Sequence, residues 1–316
     1  MTCYTPLRGF KSKETGGIVF KRSHDAGADM AVACGQCLGC RIDHSRMWAT
    51  RITHEAALHK ENCFLTLTYD PENVPPGGTL VKSHFQKFMK RLRKQFPDRN
   101  IRYYHCGEYG DQLNRPHYHA CIFNLDFADK KLFSKNQGNP LFISETLGKL
   151  WPEGFSTIGE LSFQSAAYAA RYVLKKVTGH MQDDHYLRYD DYGVAYWLEP
   201  EYTTMSRGRP CKEHRRYQPG CPECQGGIGR KWYEKYETDV FPSDEVPVPG
   251  QGVFKKVPRY YEDILANSDP KLHQAIKKER QKYHQKNADD YTPQRLEDQY
   301  KVKKAQLSFL KRQLDS

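Results

Sequence analysis

The spacing of hydrophobic and polar positions changes along the chain, and each change marks an element. Residues 62–69, NCFLTLTY, alternate in the period of two that predicts a strand. IRYYHC (101–106) and HYHACIFNL (117–125) read as neighbouring strands joined by a polar loop. Before the first strand, Trp48, Ile52 and Ala56 recur four apart, predicting a helix over 43–59. DPENVPPGG (70–78) is a turn-rich break. The next helix carries an apolar stripe of Phe85, Phe88, Met89, Leu92 and Phe96, and Pro97 ends it. Ser83 and Gln86 have the spacing of a capping box at its start. A further helix is predicted over 163–178, stopped by Gly179, whereas 180–262 shows no sustained period and reads as irregular. In the tail, Thr292 followed by Pro293 signals a helix start. Leu296, Tyr300, Leu307, Leu310 and Leu314 then keep a three-four spacing. Lys303 interrupts that seam, which points to a docking helix rather than a coiled coil.

Charge adds a partner class. Lys and Arg number 49 against 38 Asp and Glu, a net charge of +11, so a polyanion is expected, either nucleic acid or an anionic membrane surface. The 21 tyrosines favour the first, because aromatic rings stack on unpaired bases. No apolar run approaches a membrane span, and MTCYTPLRGF lacks the pattern of a signal peptide, so a cytosolic protein is expected. Lys87, Lys90, Arg91, Arg93 and Lys94 line the rest of the second helix, either as a solvated face or as a DNA-backbone contact.

In a cytosolic chain, clustered cysteines read as metal ligands before disulfides. Cys211, His214, Cys221 and Cys224 have C-x2-H-x6-C-x2-C spacing, two close pairs suited to tetrahedral Zn²⁺. Lys212, Arg215 and Arg216 within that loop are candidates to touch phosphate. Cys34, Cys37 and Cys40, with Cys3 as the fourth thiolate, predict a second structural zinc; an iron–sulfur cluster is the alternative. Cys63, Cys106 and Cys121 lie in strand-like stretches and are expected to be buried thiols.

Two motifs carry candidate chemistry. In RPHYHACIF (115–123), His117 and His119 are two apart and point to the same side of a strand, where both imidazoles can hold one cation. Glu108 in CGEYG is the candidate third ligand, with Gln164 as a substitute. A carboxylate suits the site to Mg²⁺ or Mn²⁺. A chance His-x-His among 13 histidines, with both rings merely packed, is the other reading. In FQSAAYAARYVLKKVT (163–178), Tyr168 and Tyr172 share a helix face with Lys175, opposite the apolar side of Phe163, Ala166, Ala170, Leu174 and Val177. A phenol with its ordinary pKa of about 10 is a poor nucleophile, and a cation such as Lys175 favours the phenolate. A plain surface tyrosine pair remains open. Arg115 and Lys176, beside these motifs, join Lys90 and Arg93 as candidate DNA contacts.

Taken in order, CFLTLTY, RPHYHACIF and YAARYVLKK resemble the three motifs of the two-histidine (HUH) rolling-circle endonuclease superfamily. CGQCLGC, HFQKFMKRLRK, CGEYG, SAAYAARYVLKKVTG and IGRKWYEKY resemble its gokushovirus-type microvirus initiators, over roughly 1–265. The resemblance implies an α+β fold with a central antiparallel sheet flanked by helices, the histidines on a middle strand. It implies that Tyr168 or Tyr172 attacks one strand of origin DNA, leaving a 5′-phosphotyrosine and a 3′-hydroxyl primer. The other tyrosine then cuts the regenerated origin to release a circle, Lys175 assists the phenolate, and His117 and His119 hold the metal. It further implies the host cytoplasm, a host polymerase and helicase as partners, and no small-molecule substrate. The absence of a G-x-x-x-x-G-K-[ST] loop agrees with unwinding by another protein. CKEHRRYQPGCPECQG (211–226) departs from the family pattern, and its role is not carried over. The expected organisation is a Cys-rich segment (1–42), the endonuclease core (43–180), an irregular region with the zinc loop 211–224 (181–262) and a charged helical tail (263–316). A non-enzymatic single-stranded nucleic-acid-binding protein and a plasmid or transposon nickase are the alternatives.

Overall fold

The computed structural model describes residues 3–110, 114–136, 138–172, 176–177, 182–189 and 192–309. They divide into two compact units. One holds the described residues of Met1–His44 and Gln274–Arg312. Its strands β1 (Leu7–Ser12), β2 (Ile18–Val19) and β3 (Ala26–Val32) pair antiparallel in the order β2-β1-β3. The other spans Ser45–His273 and carries the large sheet.

Among the described residues that sheet has seven strands, ordered β12-β5-β6-β4-β9-β8-β7. They are β4 (Asn62–Tyr69), β5 (Arg102–Tyr109), β6 (Pro116–Phe123), β7 (Lys131–Asn136), β8 (Asn139–Ile143), β9 (Gly154–Gly159) and β12 (Tyr202–Met205). Every pairing is antiparallel. Between β9 and β12 a second pair, β10 (Leu187–Tyr189) and β11 (Ala195–Trp197), stands apart from this sheet. Helices α1 (Leu38–Ala56), α2 (Lys82–Gln95), α3 (Glu145–Leu150) and α4 (Phe163–Tyr172) alternate with the strands. The α+β class and the central antiparallel sheet flanked by helices are therefore as the sequence implied.

Alternation along the strands separates two cores. Cys63, Leu65 and Leu67 of β4 and Tyr118, Ala120 and Ile122 of β6 pack against the Phe85, Phe88, Met89 and Leu92 stripe of α2. Phe64, Tyr104, Cys106, Cys121 and Phe123 face the other way, toward Ala49 and Ile52 of α1 and Ala166, Ala169 and Ala170 of α4. The alanines let α4 lie close on the sheet, and Ser45 Oγ donates to the Ala167 carbonyl at 2.8 Å. β9 comes close enough to β4 that a Cβ at Gly154 would meet the Thr68 carbonyl oxygen at 2.4 Å.

The capping box at Ser83 does not form. Helix α2 starts at Lys82, and its N-cap is Val81, two residues before Ser83, without a side-chain bond. Buried Tyr118 holds that turn instead: its hydroxyl accepts from Val81 N–H at 2.9 Å and donates to the Val81 carbonyl at 3.0 Å. The first helix also begins earlier than position 43, inside the CGQCLGC run. The 180–262 stretch is not irregular. It supplies α5 (Gln182–Tyr186), β10, β11 and the edge strand β12, then α6 (Arg230–Lys235) and α7 (Glu237–Val240). β13 (Val246–Val248), β14 (Gly252–Phe254) and α8 (Arg259–Ser268) follow. These elements are too short to show a period and are defined by what they pair with. Past α9 (Pro270–Lys286), the tail helix α10 (Pro293–Phe309) starts at Pro293 as expected. It buries Leu296 and sets Tyr300 edge-on to Tyr4 with ring centroids 5.7 Å apart; Leu310 and Leu314 lie outside the described residues.

The 228–261 stretch is pinned to α1 by a neutral histidine. His54 is fully buried and stacks on Trp232 at 3.4 Å. One ring nitrogen donates to the Pro247 carbonyl at 2.8 Å, so the other accepts from the Tyr261 hydroxyl at 2.8 Å. Burial pushes its pKa down to about 4, and burial also holds His105, stacked on Phe85, well below the ordinary range. The unfolded chain takes up these protons first, so their stabilisation is full above about pH 6.5 and is lost as pH falls. For His54 the loss between about pH 6.5 and pH 4 is on the order of 3 kcal/mol. Urea titrations across that range are expected to show a falling midpoint, and His54→Gln is expected to flatten the slope. An unchanged slope in the variant would remove His54 from this role.

Candidate active site

The register places Glu108 directly opposite His117, and Cys106 opposite His119, on the two central strands β5 and β6. Glu108 is the penultimate residue of β5, at the end of the strand and beside His117, as an antiparallel pairing of the two strands predicts. Its carboxylate Oε1 lies 2.9 Å from His117 Nε2 and 2.7 Å from His119 Nε2. Both imidazoles are turned so that Nε2 faces the carboxylate. His117 Nδ1–H donates to the Arg115 carbonyl at 3.0 Å, which leaves the Nε2 lone pair available in the neutral ring. His119 Nδ1 is held by the Thr66 hydroxyl at 3.1 Å from the neighbouring strand β4. Sequence reasoning does not single out Thr66. A signal for it exists, because Thr66 and Thr68 are the polar positions alternating with Leu in NCFLTLTY.

Glu108 is 1% exposed and His119 4%, while His117 reaches toward solvent. Burial alone would raise the Glu108 carboxyl, but hydrogen bonds from His117 and His119 outweigh it and hold it below the usual range. With Nε2 protonated the two rings donate to Glu108; with Nε2 unprotonated the carboxylate and two nitrogen lone pairs converge on one point and form a candidate ligand set for a cation. The spacing fits one: at right angles and bond lengths of about 2.1 Å, octahedral ligand atoms stand about 3 Å apart. Three protein ligands leave the remaining positions for water and phosphate oxygens. Gln164 is exposed on α4, so Glu108 is the third member of the group.

Tyr168 is placed differently from the polar face read off the helix wheel. It is 9% exposed, edge-on to His119 with ring centroids 5.0 Å apart, and it packs against Phe64 at 6.4 Å. The reason is the small residues around it: with alanines drawing α4 onto the sheet, the tyrosine at their margin is covered as well. Arg171, exposed one turn along, holds its guanidinium 5.9 Å from the Tyr168 ring centroid, a cation beside the group that the sequence did not single out. The side chain of Tyr172 and all of Lys175 lie outside the described residues, as do Leu174 and Gly179. Arg115 is partly buried and donates to the Tyr69 carbonyl at 2.5 Å; Lys176 is exposed. Lys90 and Arg93 are exposed on α2, which covers the face of the sheet opposite the histidines.

Both cysteine groups close in space. Ligand atoms of Cys211, His214, Cys221 and Cys224 lie within 4.8 Å of one another, as do those of Cys3, Cys34, Cys37 and Cys40. Tetrahedral zinc at ordinary bond lengths sets sulfurs about 3.8 Å apart and sulfur and nitrogen about 3.6 Å apart. The Cys211–Cys221 and Cys3–Cys37 sulfurs are each separated by 3.9 Å, and Cys224 Sγ lies 3.5 Å from His214 Nδ1. Backbone N–H groups of Tyr4, Cys34 and Cys37 donate to the sulfurs of Cys37, Cys3 and Cys34 at 3.2–3.3 Å, the support that thiolates require. Burial raises the Cys34 thiol, but hydrogen bonds from Thr5 and nearby N–H groups prevail and bring it to about 6. Cys63, Cys106 and Cys121 are buried as expected.

Among the described residues no helix is long and apolar enough to cross a membrane. No solved structure matches the chain. A family model for replication-associated proteins of the ORF2 type matches residues 62–177, the stretch holding Glu108, both histidines and Tyr168. Replication-associated protein ORF2 of Spiroplasma virus 4 is 33% identical over 286 residues, 83% of this chain and 79% of the relative. Replication-associated protein VP4 of Bdellovibrio phage phiMH2K is 33% identical over 281 residues, 85% of this chain and 79% of the relative. Replication-associated protein ORF4 of Chlamydia phage 1 is 32% identical over 151 residues, 45% of this chain and 38% of the relative. The chain belongs to this family of phage replication-associated proteins.

Proposed function

We propose that the protein nicks one strand of origin DNA with a tyrosine and initiates rolling-circle replication in the host cell. The observation that carries this reading is the convergence of Glu108, His117 and His119 on one point with Tyr168 packed against His119. Glu108, His117 and His119 hold Mg²⁺ or Mn²⁺, which offsets the charge developing on the scissile phosphate. The phenol oxygen of Tyr168 or Tyr172 bonds to phosphorus as the bond to the 3′ oxygen breaks. The products are a 5′-phosphotyrosine and a free 3′-hydroxyl, which takes the proton and primes a host polymerase. The second tyrosine repeats the cut after one round, and the liberated 3′-hydroxyl attacks the first phosphotyrosine to close the circle. Lys175 and Arg171 favour the phenolate electrostatically. Arg115 and Lys176 line the DNA path, a host helicase separates the strands, and the two Cys/His groups hold structural Zn²⁺.

The test is covalent capture. Labelled single-stranded origin fragments incubated with the protein and Mn²⁺ are expected to give an adduct that survives denaturing gels. Mass spectrometry should place it on the 163–178 peptide. Tyr168→Phe/Tyr172→Phe should abolish the adduct with an unchanged melting temperature. An adduct in the double variant would reassign the nucleophile; no adduct from the wild type on any fragment tiling the genome would favour a non-enzymatic DNA-binding role.

A further inference from the structure

The sheet face that carries the metal group extends beyond it into an exposed aromatic pair. Directly opposed residues of antiparallel strands point to the same side. Glu108 opposes His117 across β5 and β6, Thr68 opposes His117 across β6 and β4, and Phe155 opposes Thr68 across β4 and β9. Glu108, His117, Thr68 and Phe155 therefore form one cross-strand row on one face. Strand spacing puts Phe155 about 10 Å from His117. Phe155 is 46% exposed, and Phe133, at the β7 bulge, is 54% exposed. Their rings touch, with centroids 5.3 Å apart at 58°. The row between them and the histidines is a threonine, and Thr157 lies beside it, so the pair is separated from both cores by hydroxyl-bearing positions.

Two adjoining phenyl rings on the solvent side of an open sheet have their hydrophobic surface uncovered. We propose that Phe155 and Phe133 form a stacking platform for unpaired bases of the DNA strand threaded past Glu108, His117 and His119. The proposal rests on the nicking reading for the position of the strand. Continuity selects the occupant: a single strand with a phosphate at His117 must run along the sheet face, and this row carries it onto the rings. Arg171 beside Tyr168 on α4 and the net charge of +11 suit its phosphates. Stacking is tolerant of sequence because every base has a flat π-face. The platform thus holds the strand in register, and base identity is read elsewhere.

Binding without cleavage tests this. In EDTA, the full chain is titrated into fluorescein-labelled oligothymidylate and into an abasic oligomer with the same number of phosphates. The wild type should prefer the base-bearing strand, and Phe133→Ala/Phe155→Ala should weaken binding to it by about five- to hundredfold. Binding to the abasic strand should change little, so the preference collapses toward unity; Phe155→Trp should keep it. Both rings are exposed, so the variant is expected to melt with the wild type, and melting temperatures are measured in parallel. Equal affinities of wild type and double variant for oligothymidylate overturn the platform. So does a wild type that binds both strands equally, which would mean phosphate contacts alone. If the variant keeps its DNA affinity but loses a self-association seen when the wild type is sedimented, the patch is an interface between copies and the proposal is wrong. None of these outcomes depends on nicking, so absence of a covalent adduct sinks the nicking reading separately.

Discussion

Replacing both His117 and His119 by alanine is expected to lower metal-dependent adduct formation by more than about a thousandfold. Each single alanine variant should lose about a hundredfold or more, because one remaining imidazole and Glu108 hold a cation weakly. The effect is electrostatic: the charge of the reacting phosphate loses its counter-charge in a region where Glu108 and His119 are nearly inaccessible to water. Thr66→Val should act through His119, releasing Nδ1 from the 3.1 Å contact that sets the ring, and should cost about ten- to a hundredfold in metal affinity. Single-turnover adduct rates across a Mn²⁺ titration separate the two effects. The double histidine variant should stay slow at saturating metal, whereas Thr66→Val should recover. A wild-type rate in either single histidine variant would end the metal-site assignment.

The largest expected effect on stability lies at Glu55 and Arg102. The pair is buried, with exposures of 1% and 5%, and Arg102 Nη1 donates to Glu55 Oε1 at 2.7 Å. Each partner also holds backbone: Arg102 Nη2 donates to the Gly226 carbonyl at 2.6 Å, and Glu55 Oε2 accepts from Gly229 N–H at 2.8 Å. Helix α1, strand β5 and the start of IGRKWYEKY are thereby joined at one point. Glu55→Ala strands a guanidinium away from water and should destabilise the chain by about 3–5 kcal/mol. Glu55→Leu/Arg102→Met should recover part of that, since no unpaired charge remains, though Gly226 and Gly229 still lose their partners. Denaturant unfolding of the three variants measures this. A Glu55→Ala variant as stable as the wild type would show that the pair is dispensable.

Much of the architecture is legible in the chain itself. β4, Asn62 to Tyr69, matches the segment read as a strand from its alternating Leu and Thr positions, while Cys63, Phe64 and Leu65 are all buried because both faces of the strand are covered. His117 and His119 share a side because residues two apart on a strand do, and the close spacing within 211–224 and within 34–40 marks the cysteine clusters, whereas the fold brings Cys3 to the second of them. The apolar stripe of α2 is buried residue for residue as its periodicity predicts, except that Phe96 caps the helix. What the sequence misleads on is local chemistry overridden by tertiary contact. Ser83 has the capping-box pattern, but Tyr118, 37 residues from Val81 in sequence, holds that turn. The 181–262 region looks irregular because β12 is four residues long and exists through its pairing with β5.

The sequence alone indicated the class of fold through its family resemblance, and spacing along a backbone of known period marked the cysteine clusters and the pair of histidines on one side of a strand. Two matters were left to the tertiary structure: that Tyr168 is drawn against His119, and that Phe155 continues the row. Register between strands and the closeness of a helix to a sheet are set by side chains far apart in the chain. A helix wheel divides a helix into faces but cannot say which of them the sheet will cover.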